Sequence, residues 1–203
     1  MKEARFAPLT AETAPEAARP LLRGSAAQFG FLPSPVARAA RSPELLKSLF
    51  AGFASFDRSS LSRVEREVVA LTVAFENECH YCMAMHSALL LRTPELAPVV
   101  AALRAGAPQP DPRLEALRRF TLAVYNGKGR VDAATWEMFT AAGFGEAEAL
   151  DVVLGVGVYV MSTLANVLTD APVDPPFAGQ TWTKPAVRGG AGGKTDPMYM
   201  AVG

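Results

Sequence analysis

Apolar positions along this chain fall into long runs separated by short polar punctuation, without the strict alternation that marks a half-buried strand. The longest run, Ala149 to Leu168, is broken only by Asp151, Ser162, Thr163 and Asn166 and by two glycines. A second, VVALTVAF, follows Glu67. The punctuation is that of helix starts and stops. Thr13 and Glu16 have the form of a capping box with Pro15 in the first turn, and Pro20 is expected to bend or end that helix. GFLPSP, Gly30 to Pro35, reads as a loop in which Ser34-Pro35 opens a short helix; Ser42-Pro43-Glu44 opens the next, to about Phe56. Ser62 with Glu65 forms a second capping box before a helix to about Asn77. Further helices are expected up to Thr93-Pro94, after Thr93-Pro94, from Asp111-Pro112 to about Asn126, from Asp132 to Gly143, and from Glu146 to Leu168. The pattern predicts an all-α protein.

Composition narrows the function classes. The 203 residues fit one domain with a sizeable core; half are apolar and a fifth charged. Formal net charge is zero, and no long basic run offers the clustered cations that phosphate backbones require, so no nucleic acid partner is expected. The N-terminal MKEARFAPLTAETAPEAARP has no apolar stretch of signal-peptide type. The run from Ala149 to Leu168 carries enough polar residues to read as a buried helix rather than a membrane span. These features point to a cytoplasmic protein without a membrane partner, where thiols stay reduced.

The chemistry is concentrated in one stretch. EVVALTVAFENECHYCMAMH, Glu67 to His86, holds both cysteines and both histidines of the chain. Cys79 and Cys82 are three residues apart, and His86 follows Cys82 by four. At about 100° per residue these spacings place all three on one helix face if the helix begins near Cys79. A cysteine in a first turn meets free N–H groups and the positive end of the dipole, which lower its pKa. Reduction of a peroxide needs a thiolate to attack the O–O bond, an acid for the leaving oxygen and a second thiol to resolve the sulfenic acid. Glu67, Glu76 and Glu78 are candidates to complete a proton relay through His86. Glu67 could instead pair with Arg63 or Arg66. The cysteines could also be two buried apolar residues or, with His86, part of a metal site, although no fourth ligand is evident nearby. His80 reads as a surface or subunit-contact residue, and Asn166 as a buried hydrogen-bonding one. Shifting the chain by 80 residues lays Ser162 over Cys82 and Asn166 over His86, a weak echo compatible with a two-fold pseudo-repeat.

Glu67, eleven residues, Cys79-x-x-Cys82, three residues and His86 form a pattern that resembles the alkylhydroperoxidase AhpD-like branch of the carboxymuconolactone decarboxylase family. The resemblance runs from about Gly30 to Pro172, including LGVGVYVMSTLAN. It leaves an N-terminal arm, residues 1–29, and a Pro- and Gly-rich tail, residues 173–203, uncovered. In that tail Met198, Tyr199 and Met200 form an apolar end suited to docking on a partner subunit. The resemblance implies an AhpD-like helical bundle, a homo-oligomer, and thiol-dependent reduction of hydroperoxides. It implies Cys82 as the peroxidatic thiol, Cys79 as the resolving thiol, and His86 with Glu67 as the proton relay. No bound cofactor or metal is implied; the reductant would be an external dithiol, lipoyl-type or protein-borne. The family's peroxidase pattern has a histidine where this chain has Tyr81, and His80, about 100° away on a helix, does not substitute for it. Tyr81 and His80 are therefore accessory candidates. The decarboxylase branch usually lacks the cysteine pair, which disfavours that activity. Two other readings stand beside the peroxidase: a disulfide oxidoreductase with little peroxide turnover, and a non-catalytic helical oligomer.

Overall fold

A computed structural model describes residues 5–186 of the chain. Among the described residues nine α-helices follow in order: α1 Arg19–Phe29, α2 Ser34–Ala39, α3 Pro43–Asp57, α4 Arg63–Glu76, α5 His80–Leu90, α6 Ala97–Ala105, α7 Pro112–Asn126, α8 Ala133–Ala141 and α9 Glu146–Leu168. Three 3-10 turns lie at Glu16–Ala18, Pro94–Leu96 and Pro175–Gln180. No strand occurs among the described residues. The fold is all-α, as the punctuation predicts.

The starts of α3, α4, α7 and α8 are built by the side chains that signalled them. Ser62 Oγ accepts from the Glu65 amide at 3.3 Å, and Glu65 Oε2 accepts from the Ser62 amide at 2.7 Å, closing a reciprocal box on α4. Ser42 accepts from Leu45 N, and Asp132 from Thr135 N. The first box does not form. Thr13 Oγ1 accepts from the Thr10 amide instead, and Pro15 is extended, so the chain makes only one 3-10 turn there. Pro20 neither bends nor ends that helix; it sits in the first turn of α1, where its missing N–H has no partner to lose.

The core is organised on α4. Val68, Val69, Ala70, Leu71, Val73 and Ala74 are fully buried, because α7 and α9 pack on it most extensively and α3, α5 and α6 cover the remainder. The apolar run at residues 68–75 suits that position, while the charged residues of α4 lie in its first turns and at its last residue. Where α9 crosses α3 and α4, Gly155 lets the backbones close: a Cβ there would sit 2.5 Å from the Phe56 ring and 2.9 Å from Val69. The N-terminal segment is not a free arm, since Ala14, Ala18 and Leu22 form a small cluster with Ala39, Ala40 and Leu46. Nor does packing stop at Pro172. Asp174, Phe177 and Trp182 are buried, and the 3-10 turn at Pro175–Gln180 lies against α5. Met198, Tyr199 and Met200 lie outside the described residues.

α9 is long and apolar enough, by length and composition, to cross a membrane. Here it is a bundle helix with two unlike faces. Val152, Val158, Ser162, Thr163 and Asn166 are turned into the protein, while Leu150, Val153, Leu164, Val167 and Leu168 are exposed.

Candidate active site

α5 begins where the spacing requires. The turn after α4 is tied down by Asn77, which donates to Thr163 Oγ1 at 2.8 Å and accepts from the Tyr125 hydroxyl. Glu78 then takes a left-handed conformation, φ 51°, and Cys79 becomes the N-cap of α5. The next turns bring Cys82 and His86 onto the same side. Both cysteines are buried and neither is in a disulfide.

The two thiols share their environment but not their acidity. The Asn166 amide donates to Cys82 Sγ at 3.3 Å and to Cys79 Sγ at 3.8 Å. The Cys82 S–H donates to Cys79, which lowers the Cys79 pKa to about 7 against the opposing effect of burial; the Cys82 backbone N–H, the Asn166 amide and the His86 charge act in the same direction. Cys82 is pushed up by that shared hydrogen bond, by burial and by the charge it faces, with Asn166 and Ser162 pulling the other way. Cys79, at the helix N-terminus and with thiol and amide donors around it, is therefore the more acidic of the two thiols.

His86 meets a carboxylate. Its Nδ1 lies 2.7 Å from Glu67 Oε2. Burial alone would lower the imidazole pKa, but the charge and hydrogen bond of Glu67 outweigh it and the net shift is upward. Of the three carboxylates proposed, His86 is bonded to Glu67. Glu78 is exposed and lies 3.7 Å from Lys184, and Arg66 pairs with Asp57 rather than Glu67.

Cys82, Glu67 and His86 line one cavity of about 420 Å³, with Phe53, Phe56 and Tyr159 among its aromatic walls. Tyr81 lines it too, but its hydroxyl donates to Asp174 Oδ2 at 2.8 Å, and burial together with that carboxylate keeps it protonated. Asp174 also accepts from the Ser34 amide and hydroxyl, so it ties the segment after α9 to both α2 and α5. His80 is exposed and its Nδ1 meets the Trp182 carbonyl at 2.8 Å. Among the described residues no cluster of three or more His, Cys, Asp or Glu side chains is placed to hold a metal ion.

Four residues of this site were not read as such in the sequence: Asn166, Ser162, Tyr159 and Asp174. For the first two a signal existed, polar side chains four apart in an otherwise apolar helix. Asp174 follows α9 in a Pro-rich stretch and gave none.

Residues 43–121 match the model of the carboxymuconolactone decarboxylase family. That segment spans α3 to α7 up to Thr121 and includes Glu67, Cys79, Cys82 and His86, but not α9, which supplies Asn166. The fold is that of AhpD-like proteins. An uncharacterized peroxidase-related protein from Ralstonia eutropha JMP134, described as an alkylhydroperoxidase AhpD core, superposes with TM-score 0.73 at 23% identity, over 85% of this chain and 93% of that one. A peroxidase-related protein from Silicibacter sp. TM1040 gives 0.71 at 23% identity, over 88% and 96%. The debrominase Bmp8 gives 0.68 at 18% identity, over 89% and 97%, and a cysteine-to-alanine variant of it is known in complex with 2,3,4-tribromopyrrole. No curated protein gives a significant match.

Proposed function

We propose that this protein reduces organic hydroperoxides with its cysteine pair. The observation that carries the reading is the convergence on one cavity of Cys82 and the Glu67–His86 pair, with Cys79 one turn before Cys82 at the start of the same helix. Cys82 passes its proton to Cys79 as its sulfur attacks the terminal peroxide oxygen. The O–O bond breaks, Cys82 becomes a sulfenic acid, and the departing alkoxide takes a proton from the His86 imidazolium. Cys79 then displaces hydroxide from the sulfenic acid; the Cys79 proton completes the departing water and a disulfide forms. An external dithiol returns two electrons and two protons, one to Cys82 and one to His86, and leaves as a cyclic disulfide. The aromatic walls and a volume of about 420 Å³ suit an apolar, bulky peroxide.

Consumption of cumene hydroperoxide with dithiothreitol tests this. Turnover by the native protein, lost in Cys82→Ser, supports it. A disulfide that forms and breaks reversibly without peroxide turnover would favour a disulfide oxidoreductase instead. A second reading, reductive dehalogenation of an aromatic ring, draws on the likeness to the debrominase and on the ring-lined cavity. There the same two thiols would supply the two electrons, releasing halide and leaving the disulfide. Halide release from a brominated pyrrole under the same conditions would separate the two. The expected homo-oligomer belongs to this reading as well: exposed Leu150, Val153 and Leu164 form an apolar stripe on α9 that a second copy would cover. Elution as a monomer at working concentration would remove it.

A further inference from the structure

The two cysteines of the pair line different cavities. Cys82 lines the aromatic one. Cys79 lines a second cavity of about 270 Å³, between the end of α4 and the end of α9, bordered by Asn77, Glu78, His80, Val167 and Asp170. Tyr81 and Asn166 line both and so form the partition. Glu78, His80, Val167 and Asp170 are exposed at the second cavity, which places its mouth at the surface, while Cys79 itself is 1% exposed in its lining.

The walls of this second cavity are built for rigidity. α4 and α9 end in the same way, with a non-glycine residue in the left-handed region, Glu78 at φ 51° and Asp170 at φ 49°. In each case the following amide turns back to a carbonyl five residues earlier, Cys79 N to Ala74 O and Ala171 N to Asn166 O. Left-handed conformations at residues with a Cβ are unfavourable and persist only where the surroundings impose them. Two of the three found among the described residues border this one cavity.

We infer that the second cavity is the entrance for the reductant, a small dithiol, which reaches Cys79 from the side opposite to the peroxide. This rests on the reading that the pair cycles through a disulfide. With the Cys79–Cys82 bond in place, a thiolate of the reductant attacks Cys79 Sγ from the second cavity. The disulfide breaks, and Cys82 leaves as a thiolate toward the Asn166 amide and takes up a proton. The second thiol of the reductant then displaces Cys79 from the mixed disulfide and departs as a cyclic disulfide, itself oxidised by two electrons. The aromatic cavity is left to the apolar substrate, and the second one, smaller at about 270 Å³ and with the buried Cys79 in its lining, admits a small dithiol or the end of an arm that carries one rather than a folded protein. Separate entrances keep the reductant out of the space where the peroxide binds, so the two substrates do not compete.

The test measures the half-reactions separately on the full chain. Reduced protein is mixed with one equivalent of cumene hydroperoxide; disulfide protein, prepared with diamide, is mixed with dithiothreitol. Val167→Trp, at an exposed position beside the second cavity, is expected to slow reduction by about tenfold or more and leave oxidation within about twofold. Ala54→Trp, at an exposed position beside the first, is expected to do the reverse. Reduction at the native rate in Val167→Trp, or slowing of both half-reactions by Ala54→Trp, would overturn the inference. Should Val167→Trp fail to fold, Ala171→Phe fills the same cavity. Alkylation of Cys79 by iodoacetamide in Cys82→Ala, slowed by either filling change and not by Ala54→Trp, gives an independent readout. A native protein that hydroperoxide does not oxidise would defeat the peroxidase reading alone, because the diamide-made disulfide still reports where the dithiol enters.

Discussion

Helices α5 and α9 meet at the thiols but bring different things to them. α5 carries the groups we propose to react: Cys79 as its N-cap, Cys82 one turn on, His86 another turn on, with Glu67 supplied by the neighbouring α4. α9 carries no group that changes its bonds. It brings Asn166, whose amide donates to both sulfurs, and Ser162 and Tyr159 beside them. α5 is tied to its geometry by spacing, since residues three, four and seven apart share a face on any α-helix. α9 is tied to it by packing, since only the close crossing at Gly155 brings its polar face to the cysteines. The contrast teaches that reactive groups are local and the solvation of their charge is not. A buried thiolate needs donors aimed at it, and here they arrive from a helix more than eighty residues away in the chain.

The comparison can be broken at several points. The largest effect is expected on α5: Cys82→Ser should lose hydroperoxide turnover by at least about 10³-fold with the fold intact by circular dichroism. A variant that keeps native activity would place the chemistry elsewhere. Next comes the relay. His86→Ala should reduce kcat/KM by about 10²–10⁴-fold, the usual worth of a positioned acid. Glu67→Gln should keep the hydrogen bond but remove the charge that raises the His86 pKa, so the fall of kcat/KM on the alkaline side should begin at lower pH than in the native protein. The same pair has a stability signature. The folded His86 pKa is raised, so its contribution is full below the unfolded value of about 6.5 and is lost as pH rises through the folded value. Chemical denaturation of native and Glu67→Gln proteins should therefore differ most at low pH within this window and converge above it.

Effects on α9 should be smaller and of another kind. Asn166→Ala removes a hydrogen bond to a charged sulfur, and a loss of about 10–100-fold in rate is expected from the roughly 1.5–3 kcal/mol that such bonds contribute. Its distinguishing mark is in titration: the midpoint of thiol alkylation, about 7 for Cys79 in the native protein, should move up. An unchanged midpoint would reduce Asn166 to a packing residue and erase the contrast drawn above. Smallest in activity, Gly155→Ala should act on stability, lowering it by about 1–3 kcal/mol as Phe56 and Val69 are displaced. Thermal melts measure this directly.

The legibility of the chain follows the same line. Capping residues such as Ser62, Glu65 and Asp132 act within one turn, so the helix starts they set could be read from neighbours alone. Thr13 with Glu16 failed because the Thr13 hydroxyl found a nearer partner in the Thr10 amide. Within the site, Glu67 and His86 lie 19 residues apart and meet because two consecutive helices pack side by side. Asp174 holding Tyr81 and Ser34 could not be read, because it depends on where a Pro-rich segment lands after α9. Proline-rich composition signals the end of a helix, not whether the chain beyond it packs, and here Phe177 and Trp182 hold it against the bundle.

The most direct test of the central claim is to expose Cys79→Ser to one equivalent of cumene hydroperoxide in the presence of dimedone and locate the adduct by mass spectrometry. The account predicts a single dimedone adduct on Cys82, and no adduct in Cys82→Ser treated in the same way. An adduct on Cys79 in Cys82→Ser, with none on Cys82 in Cys79→Ser, would contradict it and make Cys79, the more acidic thiol, the sulfur that meets the peroxide.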